Sequence, residues 1–280
     1  MDGALDGLRF SLVGPGRVGA SLASWAVARG ARLEAVAGRG TPGLATAGQD
    51  LLLLAVPDGA LPEVAAELAR RPQARVVLHT SGSRPAAVLA PLRPGSAVGS
   101  LHPLKAFPQA LPDPVEAHGV FFALDGDPAA LALARRLTAA WGGVAAEIPE
   151  SARALYHLAA SLAAGGVVTL LALADELAGR LGLPPAVGRG YLELARGAIA
   201  GMAAAREAGE TAQALTGPVA RGDAGTFRRQ IDRLQDLAPE KVRLVLELAR
   251  ETLRQQDRLG PLGEGQQKLL AEIETWIDRS

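Results

Sequence analysis

The 280-residue sequence predicts an α/β domain with a mostly parallel sheet, followed by an all-helical domain. Up to residue 149, short apolar runs alternate with helical stretches, and fully apolar strands in such an alternation indicate a parallel sheet covered on both faces. From residue 150 onward, helical periodicity is interrupted only by short turns that contain proline or glycine. The predicted domains are therefore residues 1–149 and residues 150–280.

The predicted elements follow one another in a regular order. Apolar runs predict strands at residues 8–13, 33–37, 50–56, 75–79, 97–101, 120–124 and 144–148. Helical patterns between them predict helices at residues 20–29, 61–70 and 128–141. Roughly five helices fill the second domain, where Asp223 is expected to cap one helix and Pro239 to begin the next.

The composition excludes several classes of function. The chain has no cysteine, which rules out disulfides, thiolate metal sites and a cysteine nucleophile. Its 29 basic and 29 acidic residues balance, so no broad basic surface is expected for nucleic acid or for an anionic membrane. No histidines or carboxylates show metal-ligand spacing on one predicted element, and no metal site is predicted. The N-terminus lacks the pattern of a signal peptide, so a cytoplasmic location is expected.

The stretch at residues 154–174 contains no charged residue and is almost long enough to span a bilayer. It also carries Tyr156, His157, Ser161 and Thr169, and polar side chains are costly against lipid. The sequence therefore favours a central helix buried among other helices, with a dimer interface as one setting for it. No membrane partner is expected.

A glycine-rich turn directly follows the first predicted strand and precedes a helix. It consists of Gly14, Pro15, Gly16, Arg17, Val18 and Gly19. In this context the first glycine allows a tight turn, the second lets backbone approach a pyrophosphate, and the third lets the helix pack close to the strand. The helix N-terminus offers N–H groups to phosphate. The motif predicts dinucleotide binding, and a plain structural turn is the alternative.

The end of the second predicted strand distinguishes NAD from NADP. An acidic residue there would hold the ribose hydroxyls of NAD, but this strand ends in Gly38 and Arg39. A guanidinium group can clamp a 2′-phosphate with paired hydrogen bonds. Arg39 therefore favours NADP(H), and a solvated loop arginine is the alternative.

Residues at the ends of later strands are expected to border the same site, because ligands bind at the carboxyl edge of a parallel sheet. Val56 and Pro57 offer a flat apolar surface to a ring, and Ser81 can hydrogen-bond a nicotinamide amide or a substrate. Two interpretations are open for Asp58, a site residue or the cap of the following helix. Ser81 is equally open to a simple turn role.

Hydride transfer to a carbonyl or imine requires a nearby proton donor. His102 follows a strand and precedes a proline, which suits a general acid or a structural histidine. His157 and Tyr156 lie in the helix that opens the second domain, and either can donate a proton or form a buried structural pair. His79 is expected in the core, and Lys105 on a loop or the surface.

A glycine-rich turn in the second domain offers a further candidate. Thr216, Arg221 and Asp223 lie in it, and together they are suited to binding a carboxylate or phosphate of a substrate. The alternative is a contact between Arg221 and Asp223, with Asp223 capping the next helix.

Six motifs occur together at residues 14–19, 54–58, 79–82, 100–104, 156–160 and 215–223. With these motifs, the chain resembles over nearly its whole length the Rossmann-like proteins that carry a DUF2520 C-terminal domain. These are distant relatives of pyrroline-5-carboxylate reductase, of F420-dependent NADP reductases and of 6-phosphogluconate dehydrogenase-like enzymes. The resemblance implies an N-terminal NADP(H) site and a helical domain used for dimerisation.

The expected function is therefore that of an NADP(H)-dependent oxidoreductase. It would reduce a small carbonyl or imine compound in a cleft between domains, as a homodimer with catalytic candidates Ser81, His102 and His157. One alternative is a non-catalytic dimer that binds or senses NADP(H) or another nucleotide. A second alternative is an acid–base enzyme that keeps the fold and transfers no hydride. If the three catalytic candidates lie together at one place, the oxidoreductase is favoured over both alternatives.

Overall fold

A computed structural model describes residues 3–38 and 46–279 and shows a seven-stranded sheet in the first part of the chain. The strands are β1 (Arg9–Val13), β2 (Arg32–Ala37), β3 (Leu51–Leu54), β4 (Val76–His79), β5 (Ala97–Pro103), β6 (Phe121–Gly126) and β7 (Val144–Glu147). Their order in the sheet is β2-β1-β3-β4-β5-β6-β7. Neighbouring strands are parallel except β5 and β6, which pair antiparallel. The predicted fold, a mostly parallel sheet followed by helices, is confirmed.

The central strands are buried on both faces. Side chains of a strand alternate between faces, so Leu51 and Leu53 enter one apolar cluster while Leu52 and Leu54 enter the other. The first cluster also contains Trp25 of α1 (Arg17–Val27) and lies against α3 (Pro128–Ala140). The second lies against α2 (Leu61–Leu68) and the 3₁₀ helix Ala86–Leu92. Helices on both faces explain why these strands read as continuous apolar runs.

The element boundaries differ from the predicted ones at two places that matter for function. Helix α1 begins at Arg17 and not at residue 20, because Gly16 is already its N-cap. Strand β5 continues to Pro103 because it pairs with the antiparallel strand β6, where Pro103 lies opposite Phe122. The added length carries His102 within the strand.

The rest of the chain is helical. Its helices are α4 (Glu150–Ser161), α5 (Val167–Arg180), α6 (Ala186–Glu207), α7 (Gly217–Ala220), α8 (Ala224–Leu237), α9 (Val242–Leu259) and α10 (Glu264–Arg279), with a π-helical turn Leu162–Gly166 between α4 and α5. They exceed the five predicted because α7 is a single turn and a π turn divides the first long helix. As predicted, Asp223 caps α8, accepting a hydrogen bond of 3.0 Å from the backbone N–H of Thr226. Pro239 begins a 3₁₀ turn, Pro239–Lys241.

The chain forms two compact units, Met1–Gly165 and Gly166–Ser280. The predicted division at residue 149 coincides instead with the change from strands to helices, since α4 begins at Glu150. Helix α4 belongs to the first unit because its side chains bond to residues of the sheet. The second unit has its own apolar core, which includes Phe227, Leu246 and Leu269.

The helical stretch Glu150–Arg180 is long and apolar enough to cross a membrane by length and composition, a test that core helices of soluble proteins also pass. None of its most apolar window is buried within the chain. Within the chain this stretch is therefore not buried among other helices, and its expected place in a dimer interface stays a prediction. Leu155, Leu158 and Leu162 are more than half exposed.

Candidate cofactor and active site

The glycine turn after β1 has a backbone that only glycine permits at two positions. Gly14 has a φ of +90°, and a Cβ there would lie 2.4 Å from the carbonyl oxygen of Ala55. A Cβ at Gly19 would lie 2.2 Å from the carbonyl oxygen of Gly14. These distances show that the turn is tight and that α1 packs directly on it, as predicted for the first and third glycines of the motif.

Gly16 has a different environment from the other two glycines. A Cβ built on it meets no atom within 4 Å, and no side chain in the described part of the molecule caps the helix there. Gly16 borders a cleft of about 890 Å³, which we call the glycine-turn cleft. The cleft gives an anionic group direct access to the N-terminus of α1, where backbone N–H groups point outward.

The strand ends supply the rest of this cleft. Its wall includes residues 14–18 of the glycine turn and the candidates Val56, Pro57, Asp58, Ser81, His102 and His157, together with Gly38, Thr80, Gly82, Lys105 and Phe107. The structure thus brings all three predicted catalytic residues together with every described cofactor candidate except Gly19, where α1 packs on the turn. Arg39 is outside the described residues, so its part in cofactor choice stays a prediction.

Asp58 is tied to the loop after β4. Its carboxylate accepts a hydrogen bond of 2.5 Å from the Ser83 hydroxyl. Burial raises the pKa of Asp58, but hydrogen bonds from Ser83 and Ser81 and electrostatic interactions with His157 and His79 outweigh it, so the pKa is lowered overall. Helix α2 has Ala60 as its N-cap, and Asp58 therefore does not cap it. Asp58 is an ionised group that orders one wall of the cleft.

Ser81 lies at the start of that loop and is 5% exposed. Its hydroxyl accepts a hydrogen bond of 3.0 Å from the backbone N–H of Arg84. It also donates to Asp58. These contacts give Ser81 the turn role that the sequence left open, while its place in the cleft wall leaves a ligand contact as a prediction.

His102, Tyr156 and His157 form one cluster. Nδ1 of His102 lies 2.9 Å from the Tyr156 hydroxyl, and the two rings are perpendicular. The ring centroids of His102 and His157 are 5.8 Å apart. Both histidines lie against Gly82, where a Cβ would be 2.5 Å from Cδ2 of His157 and 2.7 Å from Nε2 of His102. The absence of a side chain at Gly82 is what allows both rings to reach the cleft.

His102 and Tyr156 are both neutral near pH 7. Burial, the neighbouring His157 and the charge of Arg153 lower the pKa of His102 to about 4. Burial raises the pKa of the Tyr156 hydroxyl above its ordinary value of 10.0. A protonated tyrosine that donates to Nδ1 leaves the proton of the neutral imidazole on Nε2, the nitrogen beside Gly82.

A second cavity of about 680 Å³ lies on the other side of this cluster, and we call it the Tyr156 cavity. It shares His102, Lys105 and His157 with the glycine-turn cleft. The remainder of its lining is small or apolar, namely Pro103, Leu104, Ala106, Ala159, Ala160, Ala163, Ala164 and Gly165, plus Tyr156 and Ser161. The cluster therefore separates a cleft rich in backbone N–H groups from a cavity suited to an apolar group.

Sequence analysis gave no role in this site to Lys105, Ser100, Asp125 or Arg153. Lys105 lies on a loop as predicted, but it lines both cavities and pairs with Glu116 at 3.0 Å. Arg153 is 1% exposed and contacts three separate segments, the loop at residues 81–84, β5 and β6. A lone arginine in the first turn of a helix carries no sequence signal of burial, because arginine is normally exposed.

His79 is fully buried, as predicted, and supports the loop from below. Its Nδ1 accepts from the backbone N–H of Ser81 at 3.2 Å, and its Nε2 lies 3.3 Å from the carbonyl of Pro85. Burial lowers the pKa of His79 to about 4. The neutral ring, with its proton on Nε2, satisfies both contacts.

Acidification is expected to destabilise the protein between pH 6.5 and pH 4. The unfolded chain takes up a proton on His79 near pH 6.5, whereas the folded chain resists protonation until about pH 4. The stabilisation by neutral His79 is thus complete above pH 6.5 and is lost as the pH falls to 4, with a total of about 3 kcal/mol. His102 acts in the same direction.

Urea unfolding at several pH values measures this loss. The His79→Gln variant should be less stable at neutral pH but should show a shallower decline toward low pH. An equal decline in both proteins would contradict the assignment.

The three candidates of the second unit lie close together. Thr216 is the N-cap of α7, Arg221 follows that helix, and Asp223 caps α8. The cap contact from Thr226 lowers the pKa of Asp223, so its carboxylate already has a structural partner. Substrate binding by Thr216, Arg221 and Asp223 stays a prediction.

Comparisons with known proteins agree with this geometry. One family model, described as a Rossmann-like domain, matches residues 18–103, and another, a domain of unknown function termed DUF2520, matches residues 120–252. A search of curated proteins finds no match.

Several solved structures share the fold. A candidate NADP oxidoreductase from Bacteroides fragilis is 19% identical, with a TM-score of 0.70, and the match covers 89% of this chain and 98% of that one. A protein from Thermotoga maritima is 21% identical, with a TM-score of 0.63, and the match covers 97% and 100% of the two chains. An imine reductase variant from Myxococcus stipitatus, solved with NAD⁺, is 16% identical, with a TM-score of 0.53 and 95% and 99% coverage.

The sheet order and the glycine turn on α1 define a Rossmann-like protein. The second family model, DUF2520, covers the last two strands and most of the helical region. The chain is a Rossmann-like protein that carries a DUF2520 domain, as the sequence motifs predicted.

Proposed function

We propose that this protein is an NADP(H)-dependent oxidoreductase that reduces a small carbonyl or imine compound. The observation that carries the proposal is the shared wall between the two cavities. His102 and His157 line both the glycine-turn cleft and the Tyr156 cavity, so a group in either cavity reaches the same imidazoles. The solved neighbours include oxidoreductases, which supports the class of reaction.

The residues of the glycine-turn cleft fit a dinucleotide. Gly14 and Gly19 build the cradle, Gly16 leaves room for a pyrophosphate, and Val56 with Pro57 offers an apolar face. Arg39 is proposed to select the 2′-phosphate of NADP(H). The bound cofactor would supply a hydride to the carbon of a C=O or C=N bond.

His102 is proposed as the proton donor to the reduced group. Its Nε2–H faces the cleft wall at Gly82, while Tyr156 donates to Nδ1 and holds the ring. As Nε2 gives up its proton, Nδ1 takes the Tyr156 proton, so the imidazole stays neutral and Tyr156 is left as a phenolate. The charge of Arg153 favours this phenolate, and solvent returns a proton to it before the next turnover. Lys105 is the cation that lines both cavities. His157 is proposed to contact the substrate beside His102, with Ser81 and Tyr156 completing the pocket.

Calorimetric titration of the purified protein with NADPH and NADH tests the cofactor. We expect NADPH to bind more tightly, and Arg39→Ala to weaken NADPH by about tenfold or more while NADH changes little. Arg71→Ala, on an exposed turn after α2, is the matched control for loss of an arginine. Equal affinity for both cofactors in the parent protein would overturn the choice of NADP(H). Tight binding with no turnover of any carbonyl or imine would favour the sensing alternative.

The protein is also proposed to form a homodimer through its helical domain. Helix α6 has no buried residue over its 22 positions, and Leu194 and Ile199 on it are 72% and 57% exposed. Large exposed apolar side chains on a helix with no buried residue indicate an interaction site. Glycines 190, 197 and 201 on α6 allow close approach of another helix. A second copy would bury the same surface on both subunits.

The Leu194→Glu and Ile199→Glu double variant is expected to convert the dimer to a monomer. Each introduced carboxylate would have to be desolvated in the interface. Sedimentation velocity measures the mass, with Gln235→Glu on the exposed side of α8 as the control. A monomeric parent protein, or a double variant that stays dimeric, would contradict this interface.

A further inference from the structure

Arg153 is a buried cation that joins three segments of the first unit. Its Nη1 donates to the carbonyl oxygens of Ser81 and Arg84, at 3.3 Å each. Its Nη2 donates to the hydroxyl of Ser100 on β5. Its Nε lies 3.4 Å from the carboxylate of Asp125 on β6. A guanidinium group can make all these contacts at once because its donors point in different directions in one plane.

The spacing of these contacts places α4 on the sheet. Arg153, Tyr156 and His157 are three and four positions apart, so they share one face of α4. Ser100 and His102 are two positions apart on β5 and share one face of that strand. Arg153 bonds to Ser100, and Tyr156 bonds to His102. These are two side-by-side polar contacts between α4 and β5.

The same side chain fixes the loop under the histidines. The carbonyls of Ser81 and Arg84 flank Gly82, the residue against which His102 and His157 lie. Asp125 also accepts a hydrogen bond of 2.7 Å from the backbone N–H of Ala86, so the pair of Arg153 and Asp125 holds the end of the loop as well.

We infer that Arg153 is a positioning residue, which docks α4 on β5 and fixes the loop of Gly82 so that Tyr156, His102 and His157 meet at the wall between the two cavities. Arg153 contacts neither cavity, so it acts through these residues. The effect on turnover rests on the proposed function. The arrangement of the histidines does not.

The charges around His102 provide a way to observe this role. Charged and titratable groups surround His102 on several segments. His157, Tyr156 and Arg153 lie on α4, Asp58 follows β3, and Lys105 lies on the loop that follows β5. The charge of Arg153 contributes to lowering the pKa of His102, and Asp58 opposes it. Loss of the cation should therefore move a measurable property of a histidine that Arg153 does not touch.

Arg153→Met and Arg153→Lys in the full chain test the inference. We expect the pKa of His102, followed by NMR of labelled histidine, to move from about 4 toward 6.5 in Arg153→Met. Arg153→Lys keeps the charge and should retain much of the lowered pKa. Turnover should fall about tenfold or more in Arg153→Met with little change in NADPH affinity. Arg135→Met, which removes an exposed arginine of α3, should change none of these.

The outcomes separate this inference from the proposed function. A folded Arg153→Met protein with an unchanged His102 pKa and unchanged His102 and Tyr156 resonances would overturn the positioning role. Displaced His102 and Tyr156 resonances in both Arg153→Met and Arg153→Lys, in a protein that never shows turnover, would support the positioning role and overturn the oxidoreductase. If Arg153→Met does not fold, Ser100→Ala removes one contact and keeps the charge. It should then displace the His102 and Tyr156 resonances, and their persistence would contradict the inference.

Discussion

The Gly19→Ala variant is expected to lose about 3 kcal/mol or more of stability and to lose NADPH binding. A Cβ at this position would lie 2.2 Å from the carbonyl oxygen of Gly14 and 2.9 Å from Cβ of Ala55. Both neighbours belong to the closely packed contact between α1 and the sheet, so the added atom forces backbone to move. The measurement is urea unfolding together with calorimetric titration of NADPH.

Gly16→Ala gives the opposite combination. Gly16 has an extended backbone, with φ of −72° and ψ of −175°, and a Cβ there meets nothing within 4 Å. Stability should therefore stay within about 0.5 kcal/mol of the parent protein. NADPH affinity should fall about tenfold or more, because the methyl group projects toward the place of the pyrophosphate.

Gly95→Ala serves as the control for both variants. Gly95 lies in an exposed turn where a Cβ has no neighbour within 4 Å, and we expect no change in stability or binding. If Gly16→Ala binds NADPH as well as the parent protein does, the glycine turn does not hold the cofactor.

His102→Gln is expected to lower turnover by about 100- to 10,000-fold while leaving NADPH affinity within a few-fold of the parent value. Glutamine keeps a polar side chain of similar length but cannot pass a proton from Tyr156 to a substrate. The effect should appear in kcat more than in KM, because the proton is needed only as the hydride is transferred. Single-turnover oxidation of bound NADPH by a panel of carbonyl and imine compounds measures it.

Tyr156→Phe separates the two halves of the proposed proton path. It removes the hydroxyl 2.9 Å from Nδ1 of His102 and keeps the ring. We expect a loss smaller than that of His102→Gln, and no further loss when the two substitutions are combined. Independent effects that multiply in the double variant would show that Tyr156 does not act through His102.

Much of the fold could be predicted from the sequence because local patterns carried it. The runs at residues 51–54 and 76–78 are apolar throughout since both faces of the sheet are covered, and that pattern is visible without a structure. The roles of the glycines at positions 14, 16 and 19 could likewise be predicted, because they depend on backbone geometry within a short segment. The antiparallel entry of β6 was not predicted, since strand direction depends on a long connection whose path leaves no periodic signal.

The residues of the candidate site could also be predicted in part from the sequence. His102, His157, Tyr156, Ser81 and Asp58 were all candidates, because strand ends and polar residues in apolar helices are recognisable in a sequence. What the tertiary structure decided is which of them meet: His102 with Tyr156 and His157, and Asp58 with Ser83. It also decided that Arg153 is buried and that Gly82 must lack a side chain. The sequence by itself therefore determined the local backbone and the residue types. The buried contacts between segments far apart in the chain depend on the packing of α4 against β5, and only the folded structure contains it.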